Sequence, residues 1–197
     1  MLKNSIAVIG AGKWGQALHF ALSQKQKCLI TSRTKKDIEN FVDLQTAMEC
    51  EYLVIAIPAQ ELRNWLKENF IFKGQKILVA SKGIEASTGE FLNEIYSSFV
   101  PDDHIGFISG PSFAAEVIKG LPTALVINSK SKDIYDFFSP FFPNFIKVYY
   151  SDDVIGAEIS GAYKNVLAIA SGISEGLNLG KNAQASLISR GLVEMQR

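Results

Sequence analysis

Residues 5–15 read SIAVIGAGKWG, an apolar run that passes directly into a glycine-rich turn. Gly10, Gly12 and Gly15 form the pattern GxGxxG, and apolar residues with helical spacing follow it. In a strand–turn–helix unit, the first glycine permits the tight turn and the second lets the backbone approach a pyrophosphate. The third lets the helix pack on the strand, and the helix start offers amides to the phosphates. The motif predicts dinucleotide binding, with an ordinary glycine-rich turn as the alternative.

Apolar runs and helical segments alternate along most of the chain. Strands are predicted at residues 5–9, 27–31, 52–57, 76–80, 104–109, 123–127 and 145–150. Helices are predicted from Trp14, after Asp43 as an N-cap, and at residues 60–69, 88–99, 112–119 and 131–141. The apolar runs lack a strict period of two, which is typical of strands buried on both faces. The predicted fold class is therefore α/β, a doubly wound, mostly parallel Rossmann-type sheet.

The alternation ends at residues 151–153, Ser-Asp-Asp, which are good helix starters. A long helix is predicted over residues 158–176, and a second helical pattern is still running at Arg197 without a C-cap. We therefore predict a dinucleotide-binding Rossmann domain at residues 1–150. Residues 151–197 are predicted to be the beginning of a C-terminal helical substrate and catalytic domain, which we expect to be truncated.

Composition excludes several classes of function. Lys plus Arg and Asp plus Glu each number 20, so the chain lacks the basic surplus typical of nucleic-acid binding. Cys28, Cys50, His19 and His104 are isolated from one another, which predicts no metal site. The N-terminus lacks a signal-peptide layout, and no apolar run approaches the roughly 20 residues that span a bilayer. We expect a cytoplasmic protein without a membrane span.

A second motif, SKGIE at residues 81–85, directly follows a predicted strand. Ligands gather at the carboxyl ends of strands in doubly wound sheets, so Lys82 is expected to project into the cleft. A lysine there suits a phosphate, a developing alkoxide or a nicotinamide amide. A solvated surface lysine is an equally good interpretation of this residue alone.

A third motif, GPSFAAE, occupies residues 110–116 after another predicted strand. Gly110 and Pro111 set the turn, and Ser112 is expected to begin a helix whose free amides face the same cleft. On spacing alone, a simple capping role for Ser112 is slightly favoured over ligand binding.

The fourth motif, AYKN at residues 162–165, lies in the long apolar helix. Lys164 is expected to sit among apolar and small residues, where burial would lower its pKa toward the range of a proton donor or acceptor. The alternative is a lysine that extends to the surface, which fits the sequence about as well.

The end of the second predicted strand reads Thr31-Ser32-Arg33, where an acidic residue usually binds the ribose diol. An arginine there can pair with a 2′-phosphate or stack on adenine. The alternative is a solvated arginine beside Lys35 and Lys36. The pattern predicts that NADP is accepted, alone or beside NAD.

Taken in order, GAGKWG, IAIPAQ, SKGIE, GPSFAAE, GAYKNVLAIASGI and LISRGLVEM resemble the bacterial NAD(P)-dependent glycerol-3-phosphate dehydrogenases. The glycine motif is shared by many families, whereas the series of SKGIE, GPSFA and AYKN is specific. The resemblance implies an oxidoreductase that interconverts sn-glycerol 3-phosphate and dihydroxyacetone phosphate, a three-carbon sugar phosphate, and so supplies glycerol 3-phosphate for phospholipid synthesis. It leaves open the choice between NADP and NAD and whether the protein is a homodimer.

The resemblance also implies roles for individual residues. The expected cofactor contacts are Gly10, Gly12, Lys13, Trp14, Gly15, Arg33, Pro58, Lys82 and Ala114. Lys82, Gly110, Ser112 and Lys164 would hold the substrate. Lys164 and Lys82 would be catalytic, because Lys164 would exchange the proton on the C2 oxygen while Lys82 stabilises the oxyanion and lowers the pKa of Lys164.

The chain departs from the family pattern in two places. The connection between Arg33 and Asp43 is shorter than usual, which affects the adenine side. The later elements that hold the substrate phosphate would lie beyond Arg197, so we expect the chain to be inactive by itself. Two alternatives are another two-domain reductase, of the ketopantoate or hydroxyacid type, and a dinucleotide-binding module without catalysis, which would not need Lys164.

Overall fold

The computed structural model describes residues 2–196 of the chain. Seven strands form one sheet in the order β2-β1-β3-β4-β5-β6-β7. All neighbouring strands are parallel except β5 and β6, which pair antiparallel. The strands are β1 (Leu2–Ile9), β2 (Cys28–Thr31), β3 (Cys50–Ile55), β4 (Lys76–Val79), β5 (Ile105–Ser109), β6 (Thr123–Asn128) and β7 (Ile146–Ser151). The predicted α/β fold with a mostly parallel Rossmann-type sheet is confirmed.

Helices connect the strands and then replace them after β7. They are α1 (Lys13–Ser23), α2 (Leu44–Met48), α3 (Ala59–Asn69), α4 (Leu92–Ser97), α5 (Ala114–Ile118), α6 (Lys132–Phe138), α7 (Val154–Gly176) and α8 (Gly180–Met195). The N-cap predicted at Asp43 forms, since Asp43 accepts from the amide of Thr46 at 2.8 Å. Asp153, one of the three predicted helix starters, accepts from the amide of Gly156 at 2.8 Å, so α7 begins at Val154 and not at the expected residue 158. Within residues 2–196, no helix is both long and apolar enough to cross a membrane.

Both faces of the sheet are buried, which explains the continuous apolar runs. Along β1, Ile6 and Val8 join a cluster of buried side chains that includes α1 and α6. Ala7 and Ile9 point to the opposite face and join a cluster that includes α3 and α4. Because the central strands supply apolar side chains to both layers of helices, no alternation with polar residues develops in them. The edge strand β7 differs, because its Lys147, Tyr149 and Tyr150 are exposed.

One predicted helix begins later than expected. Residues 88–99 were expected to be helical from Thr88, but α4 begins at Leu92. The preceding residues form a turn instead, in which Gly89 has φ of +77° and the amide of Glu85 donates to the carbonyl of Glu90. Ion pairs between the side chains of Arg63 and both glutamates hold this turn, so tertiary contacts outweigh the local helical pattern.

The helix α7 contacts α4 through Glu158, a residue only 9% exposed. Its Oε1 accepts from the backbone amide of Asn93 at 3.0 Å. Its Oε2 and the Oδ1 of Asn93 are buried without a hydrogen-bond partner among the described residues. Burial, with a smaller effect of the nearby Glu94 charge, raises the pKa of Glu158 from 4.5 to about 7. The charged form is therefore the one that the fold disfavours.

We expect Glu158→Gln to stabilise the protein above neutral pH. The pKa of Glu158 is higher in the folded than in the unfolded chain. Ionisation of Glu158 therefore lowers the free energy of unfolding as pH rises from 4.5, and the loss is complete above about 7. A shift of this size corresponds to about 3 kcal/mol. Thermal melts should show little difference at pH 5 and a gain of several degrees at pH 8. The control is Glu175→Gln, an exposed position on the same helix. A gain that does not change with pH would contradict the assignment.

Candidate functional site

The glycine-rich turn between β1 and α1 gives each glycine a distinct role. Gly10 has φ of +109°, and a Cβ there would lie 2.4 Å from the carbonyl oxygen of Ala56, so the turn presses against the end of β3. A Cβ on Gly15 would lie 1.8 Å from the carbonyl oxygen of Gly10. A Cβ on Gly12 would meet no described atom within 4 Å. Gly10 and Gly15 therefore serve the fold, whereas Gly12 borders open space at the helix start.

Polar contacts tie the same turn to the end of β2. The amide of Gly10 donates to the carbonyl of Thr31 at 2.9 Å. The carbonyl of Ala11 accepts from Gln16 Nε2 at 2.9 Å and from Lys36 Nζ at 2.5 Å. In the sequence, Lys36 enters only as a charged neighbour of Arg33, and nothing in the spacing points to this contact.

Trp14 and Lys82 come together at the carboxyl ends of β1 and β4. The Nζ of Lys82 lies 5.8 Å from the centroid of the Trp14 ring, within the range of a cation–π interaction. Trp14 Nε1 is buried and has no hydrogen-bond partner within residues 2–196. Burial, followed by repulsion from Lys164, lowers the pKa of Lys82 from 10.5 to about 8. Two side chains predicted for the site therefore form one half-buried cationic and aromatic surface.

The loop that carries Lys82 is held by α3. The side chain of Gln60 makes two hydrogen bonds to this loop: it donates to the carbonyl of Ile84 at 2.8 Å and accepts from the amide of Ala86 at 2.9 Å. One turn further along α3, Arg63 Nε lies 2.9 Å from both carboxylate oxygens of Glu85. These hydrogen bonds, with one from a neighbouring threonine hydroxyl, lower the pKa of Glu85. Sequence reasoning missed Gln60 and Arg63, because their partners lie more than twenty residues away.

The GPSFAAE segment follows β5 and differs from expectation in one respect. Gly110 has φ of +125°, and a Cβ there would lie 2.7 Å from the carbonyl oxygen of Ala124. The prediction that Ser112 begins the helix is wrong, because α5 begins at Ala114 with Phe113 as its N-cap. The hydroxyl of Ser112 instead donates back to the carbonyl of Gly110 at 3.3 Å. Ser112 is therefore a turn residue, half-buried at the carboxyl end of β5.

Lys164 lies on α7 and is exposed. The expectation that it sits among apolar residues is therefore wrong for the described chain, because that face of α7 is not covered within residues 2–196. Its charge nevertheless acts on the site, since it contributes to the lowered pKa of Lys82. The half-buried lysine with a lowered pKa is thus Lys82, and the charge that acts on it is that of Lys164.

The remaining predicted cofactor residues also follow strands. Lys13 is the first residue of α1, Arg33 lies two residues after β2, and Pro58 is the N-cap of α3; all three are exposed. Ala114 packs with Trp14 against the same apolar cluster. The site residues thus gather at the carboxyl ends of β1 to β5, where doubly wound sheets bind ligands.

A dinucleotide fits these residues on two observations. The space beside Gly12 leaves room for a phosphate at the start of α1, whose first amides lack intrahelical partners. The unpartnered Nε1 of Trp14, in the first turn of α1, and the nearby cation of Lys82 are further donors beside this space. The arrangement can bind a phosphate and stabilise negative charge on a nearby oxygen.

Comparisons with known proteins identify one family. Residues 23–135 match the family model described as the NAD-dependent glycerol-3-phosphate dehydrogenase N-terminus, and residues 153–197 match the corresponding C-terminus. Glycerol-3-phosphate dehydrogenases [NAD(P)+] from Sulfurimonas denitrificans and Campylobacter jejuni subsp. doylei are 63% and 61% identical over 98% of the chain. A solved structure of glycerol-3-phosphate dehydrogenase from Coxiella burnetii is 33% identical and superposes over 98% of the chain, with a TM-score of 0.82.

The matched proteins are longer than this chain. It spans 66% of the Sulfurimonas protein, 65% of the Campylobacter protein and 67% of the Coxiella chain. The match therefore covers about two thirds of each relative.

Proposed function

The chain belongs to the family of NAD-dependent glycerol-3-phosphate dehydrogenases, and from this membership we propose that its site interconverts sn-glycerol 3-phosphate and dihydroxyacetone phosphate with NAD or NADP. The observation that carries the proposal is the pair formed by Lys82 and Trp14 at 5.8 Å, with the charge of Lys164 near enough to affect Lys82. Two cations beside an aromatic ring suit a reaction that develops charge on an alcohol oxygen.

In this proposal the glycine turn holds the cofactor. The amides at the start of α1 bind the pyrophosphate beside Gly12, and Lys13, Arg33, Pro58 and Ala114 border the path of the dinucleotide. Trp14 orients the nicotinamide end. When bound, the cofactor supplies or accepts the hydride at C2 of the three-carbon substrate.

The substrate side of the proposal rests on two lysines. Lys164 exchanges a proton with the C2 oxygen, and Lys82 donates a hydrogen bond to that oxygen as negative charge develops. With a pKa of about 8, Lys82 is mainly protonated at neutral pH and is able to donate. Gly110 and Ser112 contact the reacting end of the sugar phosphate.

Several wider features belong to the same proposal. Residues 1–150 would form the dinucleotide domain, and residues 151–197 would open the helical substrate domain, a division supported by the change from strands to helices after β7. The product would supply glycerol 3-phosphate for phospholipid synthesis in the cytoplasm. The net charge of zero supports a small-molecule partner over a nucleic acid. A homodimer is compatible with the apolar side chains exposed on α8.

The proposed activity is tested by joining the chain to the part of the Sulfurimonas relative that it does not cover. Oxidation of NADPH is then measured with dihydroxyacetone phosphate and, in a separate assay, with ketopantoate, the substrate of the alternative reductase class. We expect turnover with dihydroxyacetone phosphate and little with ketopantoate. The reverse preference, in a folded protein that binds NADPH, would refute the proposed substrate.

Lys82 should react with an amine acetylating reagent half-maximally near pH 8, because only the deprotonated amine reacts and its pKa is lowered to that value. Peptide mass spectrometry measures the modified fraction across pH. Lys164→Met should move this midpoint upward, since it removes a like charge. A midpoint near 10.5, unchanged by that substitution, would mean that Lys82 is solvated and separate from Lys164.

A further inference from the structure

The loop between β2 and Phe41 carries three cations, Arg33, Lys35 and Lys36, after a strand that lacks the usual ribose-binding acid. Its base is fixed beside β2, because the amide of Ile30 donates to the carbonyl of Asn40 at 3.2 Å. Near its start, the hydroxyl of Ser32 donates to the carbonyl of Thr34 at 2.7 Å and turns the chain. Hydrogen bonds thus hold the loop near both of its ends, and the three cations lie between Ser32 and Asn40.

Of the three cations, Lys36 is the one that contacts the glycine-rich turn. Its Nζ lies 2.5 Å from the carbonyl oxygen of Ala11, the residue between Gly10 and Gly12. Within the described part of the chain, Arg33 and Lys35 are exposed and make no hydrogen bond or ion pair. Lys36 therefore bridges the end of β2 and the turn, and this is the place where doubly wound folds hold the adenosine ribose.

A phosphate would be a stronger partner for Lys36 than the carbonyl of Ala11. An ammonium group has three donors, and a neutral carbonyl is a poorer partner than a phosphate dianion. The carbonyl of Ala11 would keep a partner after exchange, because Gln16 Nε2 also donates to it at 2.9 Å. The acidic residues of the loop are Asp37 and Glu39, and the charge of Glu39 acts on His19, a buried residue of α1 that bonds the carbonyl of Cys28.

We propose that Lys36, rather than Arg33, is the residue that selects NADP, by moving from the carbonyl of Ala11 to the 2′-phosphate of the cofactor. This inference rests on the proposed dinucleotide site and adds the residue that discriminates between its two cofactors. Arg33 then contributes only a general attraction for anions, which is screened by salt.

The test titrates NADPH and NADH separately into the wild-type chain and into Lys36→Met, Lys35→Met and Arg33→Met. Lys36→Met should weaken NADPH binding at least about tenfold, equivalent to about 1.4 kcal/mol, and change NADH binding by less than about twofold. The salt dependence of NADPH binding should also become shallower in this variant. Lys35→Met, at the adjacent residue and with the same loss of charge, should leave the ratio of the two affinities unchanged.

Three results would overturn the proposal. If Lys36→Met weakened the binding of NADPH and NADH equally, Lys36 would only stabilise the turn. If Arg33→Met alone lost the preference for NADPH, Arg33 would be the selecting residue. An unchanged ratio in every variant would mean that no cation of this loop meets the 2′-phosphate. Failure of the wild-type chain to bind either cofactor would instead refute the proposed function. Melting curves of each variant confirm that the fold is retained.

Discussion

Gly12→Val should reduce dinucleotide binding at least tenfold, and far more if the branched side chain fills the phosphate position, while the protein stays folded. A Cβ on Gly12 meets no described atom within 4 Å, so we expect the fold to tolerate the substitution. The same open space is where the pyrophosphate would approach the backbone, so the valine methyl groups exclude it. Calorimetric titration with NADPH measures the affinity, and a thermal melt measures the fold.

A matched substitution in the same motif separates the two roles. Gly15→Val places a Cβ 1.8 Å from the carbonyl oxygen of Gly10, so it should lower the melting temperature sharply. Gly12→Val should leave the melting temperature near that of the wild-type chain. If folded Gly12→Val kept the wild-type affinity for NADPH, the turn would not be the pyrophosphate-binding element.

Lys164→Met should lower turnover of dihydroxyacetone phosphate by about 10² to 10⁴, the usual value of a positioned proton transfer. The protein tested is the chain joined to the uncovered part of the Sulfurimonas relative. NADPH affinity should change little, because the predicted cofactor contacts lie at the ends of the strands and Lys164 lies on α7. Steady-state kinetics gives turnover, and titration gives affinity.

The control for Lys164 is Lys181→Met, an exposed lysine on α8 whose side chain bonds Gln184 at 3.1 Å. This variant removes the same charge from the helical region and should keep wild-type turnover. Near-normal turnover in Lys164→Met would remove Lys164 from the mechanism. Equal losses in both variants would indicate a general effect of charge on the helices.

Features that depend on a few adjacent residues could be predicted from the sequence. The roles of Gly10 and Gly15 follow from backbone geometry within one strand–turn–helix unit, and the structure agrees with them. The caps at Asp43 and Asp153 are equally local. The alternation of apolar runs identified every strand because both faces of the sheet are buried.

Features that depend on tertiary packing could not be predicted in this way. The alternation of strands and helices along the sequence does not reveal that β5 and β6 pair antiparallel. The five-residue α5 between them looks, in sequence, like an ordinary crossover helix between parallel strands. The start of α4 at Leu92 depends on ion pairs from Arg63 on another helix. The exposure of Lys164, the half-burial of Lys82 and the lowered pKa of Lys82 could not be predicted, because burial depends on which elements meet.

The central claim is that the nicotinamide end of the cofactor lies against Trp14 and Lys82. The sequence has two tryptophans, and Trp65 packs against Phe70 on α3, so Trp65→Phe leaves Trp14 as the reporter. Titration of this variant with NADPH should quench Trp14 emission saturably and excite the reduced nicotinamide by energy transfer, and Gly12→Val should abolish both signals. Binding of NADPH by calorimetry without either signal would place the nicotinamide elsewhere and contradict the account.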